Sequence, residues 1–309
     1  MDQASQSLPQ TAQKPRRPAP ATVLELLKPL TWFAPMWAFG CGVISSGAFA
    51  LDKLVFLLGG IALAGPLVCG ASQAVNDWFD RHVDAVNEPD RPIPSGRIPG
   101  RWGLYIAIIT SLLSLLLASF LGVWVLGATV VGLILAWAYS APPARLKRSG
   151  IWGPLAVGFS YEGLAWFTGA AVMVGGLPDG QVILLAVLYS LGAHGIMTLN
   201  DFKAIEGDRE MGLRSLPVVL GADRAAQVAC VVMALPQFVV IGLLVHWGFP
   251  IYAAIVGGLL LAQLVLMVRL LGDPLGRTPW YNATGTTLYV LGMLACAIAL
   301  GSAAGESAA

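Results

Sequence analysis

Charge is scarce in this sequence of 309 residues. Charged side chains make up 11% of it, against about 25% in soluble domains. Hydrophobic residues make up 57%. This composition excludes an ordinary soluble fold and predicts an integral membrane protein. The net charge is only +1, and no basic stripe with interleaved aromatic residues is present, so we expect no nucleic-acid partner.

Histidine and cysteine are also rare, with three and four residues. The cysteines lie inside apolar runs without CxxC spacing, which predicts small buried side chains rather than disulfides or a metal site. They are Cys41, Cys69, Cys230 and Cys296. We find no Ser-His-Asp or Cys-His pattern and no nucleotide-binding GxxxxGK[ST] loop, so the chemistry must come from other residues.

Long apolar runs dominate what is present. A spanning helix needs about 20 apolar residues, and nine runs approach that length: 23–47, 54–76, 102–120, 123–140, 152–174, 181–200, 224–245, 250–271 and 284–303. No cleavable signal is evident, and residues 1–21 are polar and rich in Pro and Gln. We expect a disordered cytoplasmic tail at 1–21, a transmembrane domain at 22–303 and a short C-terminal tail at 304–309.

The placement of Lys and Arg supports this division. Alternate loops, the N-terminal segment and the adjoining helix ends hold all of these residues except Lys53. By the positive-inside rule, the N-terminus and those loops are cytoplasmic and the C-terminus lies on the opposite side of the membrane. The predicted fold is all-α, with nine transmembrane helices around a central cavity that opens to the cytoplasm.

The second run ends in an acidic motif. Asn76, Asp80 and Asp84 are spaced i, i+4, i+8, and Asp77 joins the last two at i+3 and i+7. On a helix these oxygen-bearing side chains share one face, where like charges repel unless something positive lies between them.

A second acidic motif follows the sixth run, 124 residues later. It opens with the same Asn-Asp pair, Asn200-Asp201, and Asp208 lies seven residues after Asp201. Two such motifs predict one site built from two halves, with the hard oxygen ligands that suit Mg²⁺. The alternative for each motif is an ordinary solvated loop between two membrane helices.

Basic residues accompany the acidic motifs in the cytoplasmic loops. The candidates for holding an anion are Arg91, Lys203, Arg145 and Lys147; a topology charge is the alternative for each. Mg²⁺ with Arg and Lys holds a polyanion, most simply a diphosphate because no nucleotide loop is present. The apolar cavity behind them predicts a hydrocarbon tail, and metal ions with fixed cations would stabilise the leaving group of an allylic diphosphate.

Three stretches, 76–96, 139–143 and 200–217, resemble the UbiA-type intramembrane prenyltransferases, and within them the chlorophyll synthase branch, closest to its bacteriochlorophyll-forming members. The resemblance covers residues 25–300. It implies Mg²⁺-dependent esterification of the propionate of a (bacterio)chlorophyllide with geranylgeranyl or phytyl diphosphate, in the lipid bilayer of a bacterial inner membrane. Contact with other enzymes of pigment biosynthesis is a further implication.

The resemblance also implies site roles. One Mg²⁺ would be held by Asn76, Asp80 and Asp84, the other by Asp201 and Asp208. Tyr139 would lie near the leaving group.

One departure affects the second metal. The superfamily usually has a third acid in the second motif, where this chain has Ala204. Asp77, Glu206 or water would then complete the coordination. A carboxylate acceptor, with an ordinary pKa near 4, needs no general base at neutral pH, unlike an aromatic carbon acceptor.

Two polar residues lie inside apolar runs and are candidates for contacting the pigment. Glu162 is in the middle of the fifth run, where a carboxyl group is costly and functional by default; a neutral interhelical Glu is the alternative. His194 lies seven residues before Asp201 and could ligate the central metal of the chlorin; a packing histidine is the alternative, and the one we favour.

Three other functions remain open at this point. Another member of the same superfamily would prenylate haem or an aromatic acid. A transporter or channel for a phosphorylated lipid or cation would carry charges deep in several helices. A pigment-carrying structural protein would bury His ligands in several helices, and only His194 qualifies.

Overall fold

The computed structural model describes residues 17–308, with side chains described as far as residue 304. In this part of the chain the backbone is helical, apart from loops and one isolated bridge between Ser149 and Arg214. Helices are the expected outcome because a bilayer offers no hydrogen-bond partners to an open backbone. The predicted all-α class is confirmed for these residues.

The helices are α1 (Pro20–Leu26), α2 (Phe33–Ser45), α3 (Leu51–Asn87), α4 (Trp102–Leu121), α5 (Val123–Ser140), α6 (152–174), α7 (Gly180–Glu210), α8 (Leu216–Leu220), α9 (Ala222–His246), α10 (Pro250–Leu271) and α11 (Pro274–Ala308). Within the described residues, seven of them are long and apolar enough to cross a membrane: α3, α4, α5, α7, α9, α10 and α11. The chain is therefore a multi-pass membrane protein.

The predicted count of nine spans is not confirmed. α2 has only 13 residues, because Lys28, with a left-handed φ of 49°, and Pro29 interrupt the first predicted run. α6 occupies the fifth predicted run and carries the polar residues Tyr161 and Glu162. These two helices pack against each other, and their role as further spans stays a prediction.

Helix ends differ from the predicted boundaries in three places. α1 begins at Pro20, inside the segment 1–21 that we expected to be disordered; residues 1–16 lie outside the described part. α11 begins ten residues before the predicted 284 and continues to Ala308, through the predicted tail. α3 and α7 extend past their apolar runs, so the acidic motifs lie on helices rather than in loops.

Small residues allow close helix packing. Gly42 of α2 faces the backbone of Trp166, and Gly169 of α6 faces the backbone of Phe39. A Cβ atom at either glycine would overlap the other helix, so these positions set the α2–α6 contact. The four cysteines are buried and unpaired, as predicted.

Two helices contain π-helical segments, Leu63–Cys69 in α3 and Phe159–Leu164 in α6. Pro66 accounts for the first, because a proline cannot donate the regular helical hydrogen bond. Such segments are frequent at functional sites. Here they meet where the Cys69 thiol lies 3.4 Å from the Tyr161 hydroxyl, on the wall of an interior cavity.

Candidate active site

The first acidic motif lies on a regular α-helical part of α3, Gly70–Asn87, which places its spaced residues on one face as predicted. The Asn76 amide donates hydrogen bonds to Asp80 Oδ2 at 3.0 Å and to Ser140 Oγ at 3.2 Å. Asp80 also forms an ion pair with Lys147. Asn76 and Lys147 thereby fix the carboxylate of Asp80 from two sides.

Cations also bind the two buried carboxylates of this motif. Asp77, 1% exposed, accepts from Lys28 Nζ at 2.7 Å and lies 3.5 Å from Arg91 Nη1. Asp84 accepts from Arg91 Nη1 at 2.9 Å, and Glu88 from Arg91 Nε at 2.6 Å. These contacts supply the positive charge that a helix face with stacked carboxylates requires. They also make Asp77 an anchor for the N-terminal segment, and its predicted role as a metal ligand stays a prediction.

The pKa values of the two central cations are shifted in opposite directions. Burial opposes the charge of Arg91, but the carboxylates of Asp77, Asp84 and Glu88 outweigh it and raise the pKa of the guanidinium. Burial lowers the pKa of the Lys147 ammonium, and Asp80 offsets this only in part. Lys147 is therefore a largely buried cation beside the first motif, suited to binding an anion.

The second motif does not continue as a regular α-helix. After Asn200 the chain makes a 3-10 turn over Asp201–Ala204 and resumes as an α-helix at Ile205–Glu210. The turn buries Phe202 among apolar side chains. Asp208 is buried and Asp201 half-buried, yet neither forms an ion pair among the described residues.

The structure brings the two motifs together around Tyr139, at the end of α5. The carboxylates of Asp201, Asp80 and Asp208 all act electrostatically on this tyrosine. The loop that follows, 141–151, carries Lys147. The ends of α3, α5 and α7 thus lie near one another, and a single site built from both motifs stays a prediction.

Backbone hydrogen bonds attach that loop to the segment after the second motif. Gly150 N donates to Arg214 O at 2.9 Å, and Arg214 N donates to Arg148 O at 3.0 Å. Arg145 in the same loop has a left-handed φ of 38°, and its buried Nε has no hydrogen-bond partner among the described residues. Lys203 and Glu206 are exposed on the second motif. Cationic groups thus surround both halves of the site.

An interior cavity of about 670 Å³ begins at the two motifs. Asn76, Asn200 and Tyr139 line it at that end, and Glu162 lines it further along α6. Most of its remaining wall is apolar, with side chains that include Leu63, Ala64, Val68, Ala128, Leu135 and Leu164. The site therefore joins a charged head region to an apolar chamber.

His194 lies apart from this chamber. It is buried, its Nδ1 lies 3.4 Å from Thr198 Oγ1, and its ring contacts the backbone at Ile151. It is not among the residues that line the cavity. This placement is the one expected of a histidine that serves helix packing. The role of His194 as a pigment ligand stays a prediction.

Several site residues escaped the sequence analysis. Lys28 lies within the first apolar run, 23–47. It is the one cation of that run, and this feature could have marked it as a candidate site residue. Asn282 of α11 donates to Asn200 Oδ1 at 2.9 Å and lines the cavity; it too is a polar residue in a mostly apolar stretch. Cys69 does more than fill space, since its thiol contacts Tyr161 and Thr31.

The donor set suits Mg²⁺ only in part. Within the described residues no three Asp, Glu, His or Cys side chains cluster closely enough to hold a metal by themselves. Each motif nevertheless offers carboxylates beside an Asn amide, and Mg²⁺ commonly takes one or two carboxylates and completes its shell with substrate phosphates and water. The residues therefore fit metal ions that bind together with a phosphorylated substrate.

Carboxylates and cations at the end of an apolar intramembrane chamber are the features expected of a membrane enzyme for an amphipathic, phosphorylated substrate. The family comparison gives this class a name. The model of the UbiA prenyltransferase family matches residues 29–283, and the chain belongs to that family.

Similar proteins extend over nearly the whole chain. The bacteriochlorophyll synthase 33 kDa chain of Cereibacter sphaeroides is 61% identical, covering 92% of this chain and 94% of its own. The protein of the same name from Rhodobacter capsulatus is 55% identical over the same shares. A UbiA homolog from Archaeoglobus fulgidus, solved with GPP and Mg²⁺ bound, superimposes with a TM-score of 0.69 at 21% identity, over 92% of this chain and 99% of its own. This last likeness shows the shared fold.

Proposed function

We propose that this prenyltransferase is an enzyme of bacteriochlorophyll synthesis that esterifies the propionate of a (bacterio)chlorophyllide with geranylgeranyl or phytyl diphosphate. The observation that carries the proposal is that Asn76 and Asn200, the first residues of the two motifs, line the same largely apolar cavity of about 670 Å³ together with Tyr139. The names of the relatives at 61% and 55% identity support the choice of acceptor.

The diphosphate head binds at the charged end. Asn76, Asp80 and Asp84 would hold one Mg²⁺, and Asp201 with Asp208 the other. Bound there, the metal ions would neutralise charge that develops on the leaving diphosphate.

The cations of the site complete the binding of the diphosphate. Lys147 and Arg91 now pair with Asp80 and Asp84, so on substrate binding they are shared with, or transferred to, the phosphate oxygens. Lys203 and Arg145 have no such carboxylate partner among the described residues and are free to bind the head directly. Guanidinium and ammonium groups both bind phosphate oxygens through charge-assisted hydrogen bonds.

The reaction itself demands little of the protein. A propionate oxygen forms a bond to C1 of the prenyl chain, and the bond from C1 to the diphosphate oxygen breaks with its electron pair leaving on diphosphate. The acceptor arrives as a carboxylate, so no proton has to be removed. The protein's contribution is to orient the two substrates, to exclude water, and to place Tyr139 near the leaving group.

The membrane arrangement completes the proposal. We place the N-terminus and the charged end of the site in the cytoplasm, in the inner membrane of a bacterium. With α2 and α6 counted as spans, the chain crosses nine times and its C-terminus lies on the opposite side. Apart from Asp52, Lys53 and Asp179, the charges at the described helix ends and loops gather at the motif end of the molecule, which favours a one-sided site over a transport path.

A turnover assay tests the function directly. The purified full-length protein would receive bacteriochlorophyllide a, geranylgeranyl diphosphate and Mg²⁺, with chlorophyllide a and EDTA as comparisons. We expect an esterified bacteriochlorin that is formed with Mg²⁺ and lost with EDTA. An ester of haem or of an aromatic acid alone would contradict the acceptor, and release of prenyl diphosphate across a vesicle membrane without ester would contradict the enzyme class.

A further inference from the structure

One wall of the cavity carries polar groups deep in the membrane. Tyr161 and Glu162 are consecutive residues of the π-helical segment Phe159–Leu164, and both line the cavity. Glu162 lies ten residues after the start of α6 at Trp152, which corresponds to about 15 Å along the helix. It therefore lies deep along α6, away from the helix end that follows the loop carrying Lys147.

The Tyr161 hydroxyl is already satisfied by the protein. Gln73 Nε2 donates to it at 3.0 Å, and Cys69 Sγ and Ser72 Oγ lie 3.4 Å away. These contacts hold Tyr161, and with it the neighbouring turn of α6, in a fixed orientation. They leave no role for a ligand at this hydroxyl.

Glu162 is different. Its side chain is buried, the residue being 7% exposed, and its Oε2 has no hydrogen-bond partner among the described residues. The groups that sense its charge are the acids Cys41 and Tyr289 rather than cations. Tyr289 donates its own hydroxyl to Tyr189 O at 2.6 Å, so it is engaged elsewhere.

An unpaired carboxyl group at this depth is costly. The cost falls if the group is neutral, and falls further if a ligand accepts its hydrogen bond. A prenyl tail is pure hydrocarbon and offers no acceptor. A tetrapyrrole carries carbonyl groups on its periphery, so the acceptor substrate is the one that satisfies Glu162.

We propose that Glu162 is a selectivity residue for the acceptor, donating a hydrogen bond to a carbonyl on the edge of the macrocycle away from its propionate. This inference rests on the proposed function and adds the position of the acceptor. The macrocycle lies along α6, with its propionate at the motifs. The prenyl tail takes the opposite wall, where Ala128 and Leu135 of α5 and Val68 of α3 are apolar.

The proposal distinguishes two acceptors that differ in one hydrogen-bonding substituent and in the saturation of the second pyrrole ring, which offers no hydrogen-bond acceptor. Bacteriochlorophyllide a carries an acetyl group on the first pyrrole ring, where chlorophyllide a carries a vinyl group. A carboxylic acid can donate to the acetyl oxygen but gains nothing from a vinyl group. A site with a buried donor rejects the ligand that leaves the donor unpaired, so Glu162 favours bacteriochlorophyllide.

Equilibrium binding of the macrocycles tests this, and a turnover assay supplies the KM for geranylgeranyl diphosphate. Each macrocycle would be titrated into the full-length protein in detergent, followed by pigment absorption, for wild type, Glu162→Gln and Glu162→Leu. Thr168→Val is the matched control, because Thr168 also lines the cavity but its hydroxyl donates to Leu164 O at 2.6 Å. Thermal unfolding of each variant would establish that it is folded.

We expect Glu162→Leu to weaken bacteriochlorophyllide binding roughly tenfold while chlorophyllide binding and the KM for geranylgeranyl diphosphate stay unchanged. Glu162→Gln, which keeps a donor of similar shape, should lose less. Equal losses for both macrocycles, or a change confined to the KM of the prenyl substrate, would overturn the inference alone. Wild-type protein that binds neither macrocycle would overturn the proposed function together with it.

Discussion

The two acidic motifs share a sequence pattern but differ in their surroundings. On α3, each Asp of the motif is bonded to a cation: Asp77 to Lys28, Asp80 to Lys147 and Asp84 to Arg91. On α7, Asp201 and Asp208 have no ion pair among the described residues.

The difference has a local cause. The first motif lies on an unbroken α-helix, whereas the second is divided by a 3-10 turn. In the first motif, the positive charges that balance the carboxylates therefore come from the protein itself. The other half of the site holds carboxylates without an ion pair among the described residues, although Lys203 acts on Asp201 through space. A metal ion bound with a diphosphate would supply further counter-charge.

The largest expected effect comes from removing one carboxylate of each motif. Asp80→Asn and Asp208→Asn should each lower turnover by roughly 100-fold or more, because each removes a group that helps to place charge against the leaving diphosphate. Ester formation by the purified variants is the measurement. Asp223→Asn is the control, since Asp223 is an exposed acid in the first turn of α9, outside the site.

Thermal unfolding of the same variants separates the two halves. Asp80→Asn strands the buried ammonium of Lys147 and should lower the melting temperature. Asp208→Asn removes a buried carboxylate that interacts with Ser215 but has no ion pair among the described residues, so the melting temperature should not fall. Equal losses of stability in both variants would mean that Asp208 has a cationic partner in solution, and the contrast between the motifs would fail.

The next effect concerns the anchor within the first motif. Asp77→Asn should lower the free energy of unfolding by about 3 kcal/mol, because it leaves Lys28 without its buried counter-charge and removes one of the carboxylates around Arg91. Unfolding in detergent would be measured for Asp77→Asn, Lys28→Met and the double variant. We expect strong coupling between the two sites in this cycle. If Asp77→Asn left the free energy of unfolding unchanged but weakened the dependence of turnover on Mg²⁺, Asp77 would be a metal ligand instead.

Seven of the nine predicted runs are membrane-length helices, and they could be predicted from the sequence because length and apolarity determine membrane spans. The common face of Asn76, Asp80 and Asp84 could be predicted because that part of α3 is a regular helix. The cationic partners of the acidic residues could not be predicted from the sequence. Lys28 is 49 positions from Asp77, and only the packing of the N-terminal segment against α3 brings them together.

The irregular segments within the helices could not be predicted from a sequence pattern either. The 3-10 turn at Asp201–Ala204 and the π-helical segment at Phe159–Leu164 depend on tertiary packing, which overrides local preference. Glu162 was identifiable as a costly intramembrane carboxyl group, but whether it had a partner could be read only from the structure. The family resemblance gave the metal ligands their roles, and those roles await the experiments above.

The smallest effect should come from the position that departs from the superfamily pattern. Ala204 ends the 3-10 turn of the second motif and is half-buried. Ala204→Asp adds a carboxylate to the half of the site that has no ion pair among the described residues. If the second Mg²⁺ binds there, the added ligand should lower the Mg²⁺ concentration needed for half-maximal turnover, with maximal turnover little changed.

Ala204→Asn is the matched control, because it has nearly the same shape without the charge. A shift with Asp but not with Asn would place the second metal beside Asp201 and Asp208. The opposite result, in which Ala204→Asp slows turnover and leaves the Mg²⁺ response unchanged, would mean that a third carboxylate repels the diphosphate. The cations of the first motif and its loop would then be the main binding groups for the leaving diphosphate, and the two halves would differ in function as well as in their contacts.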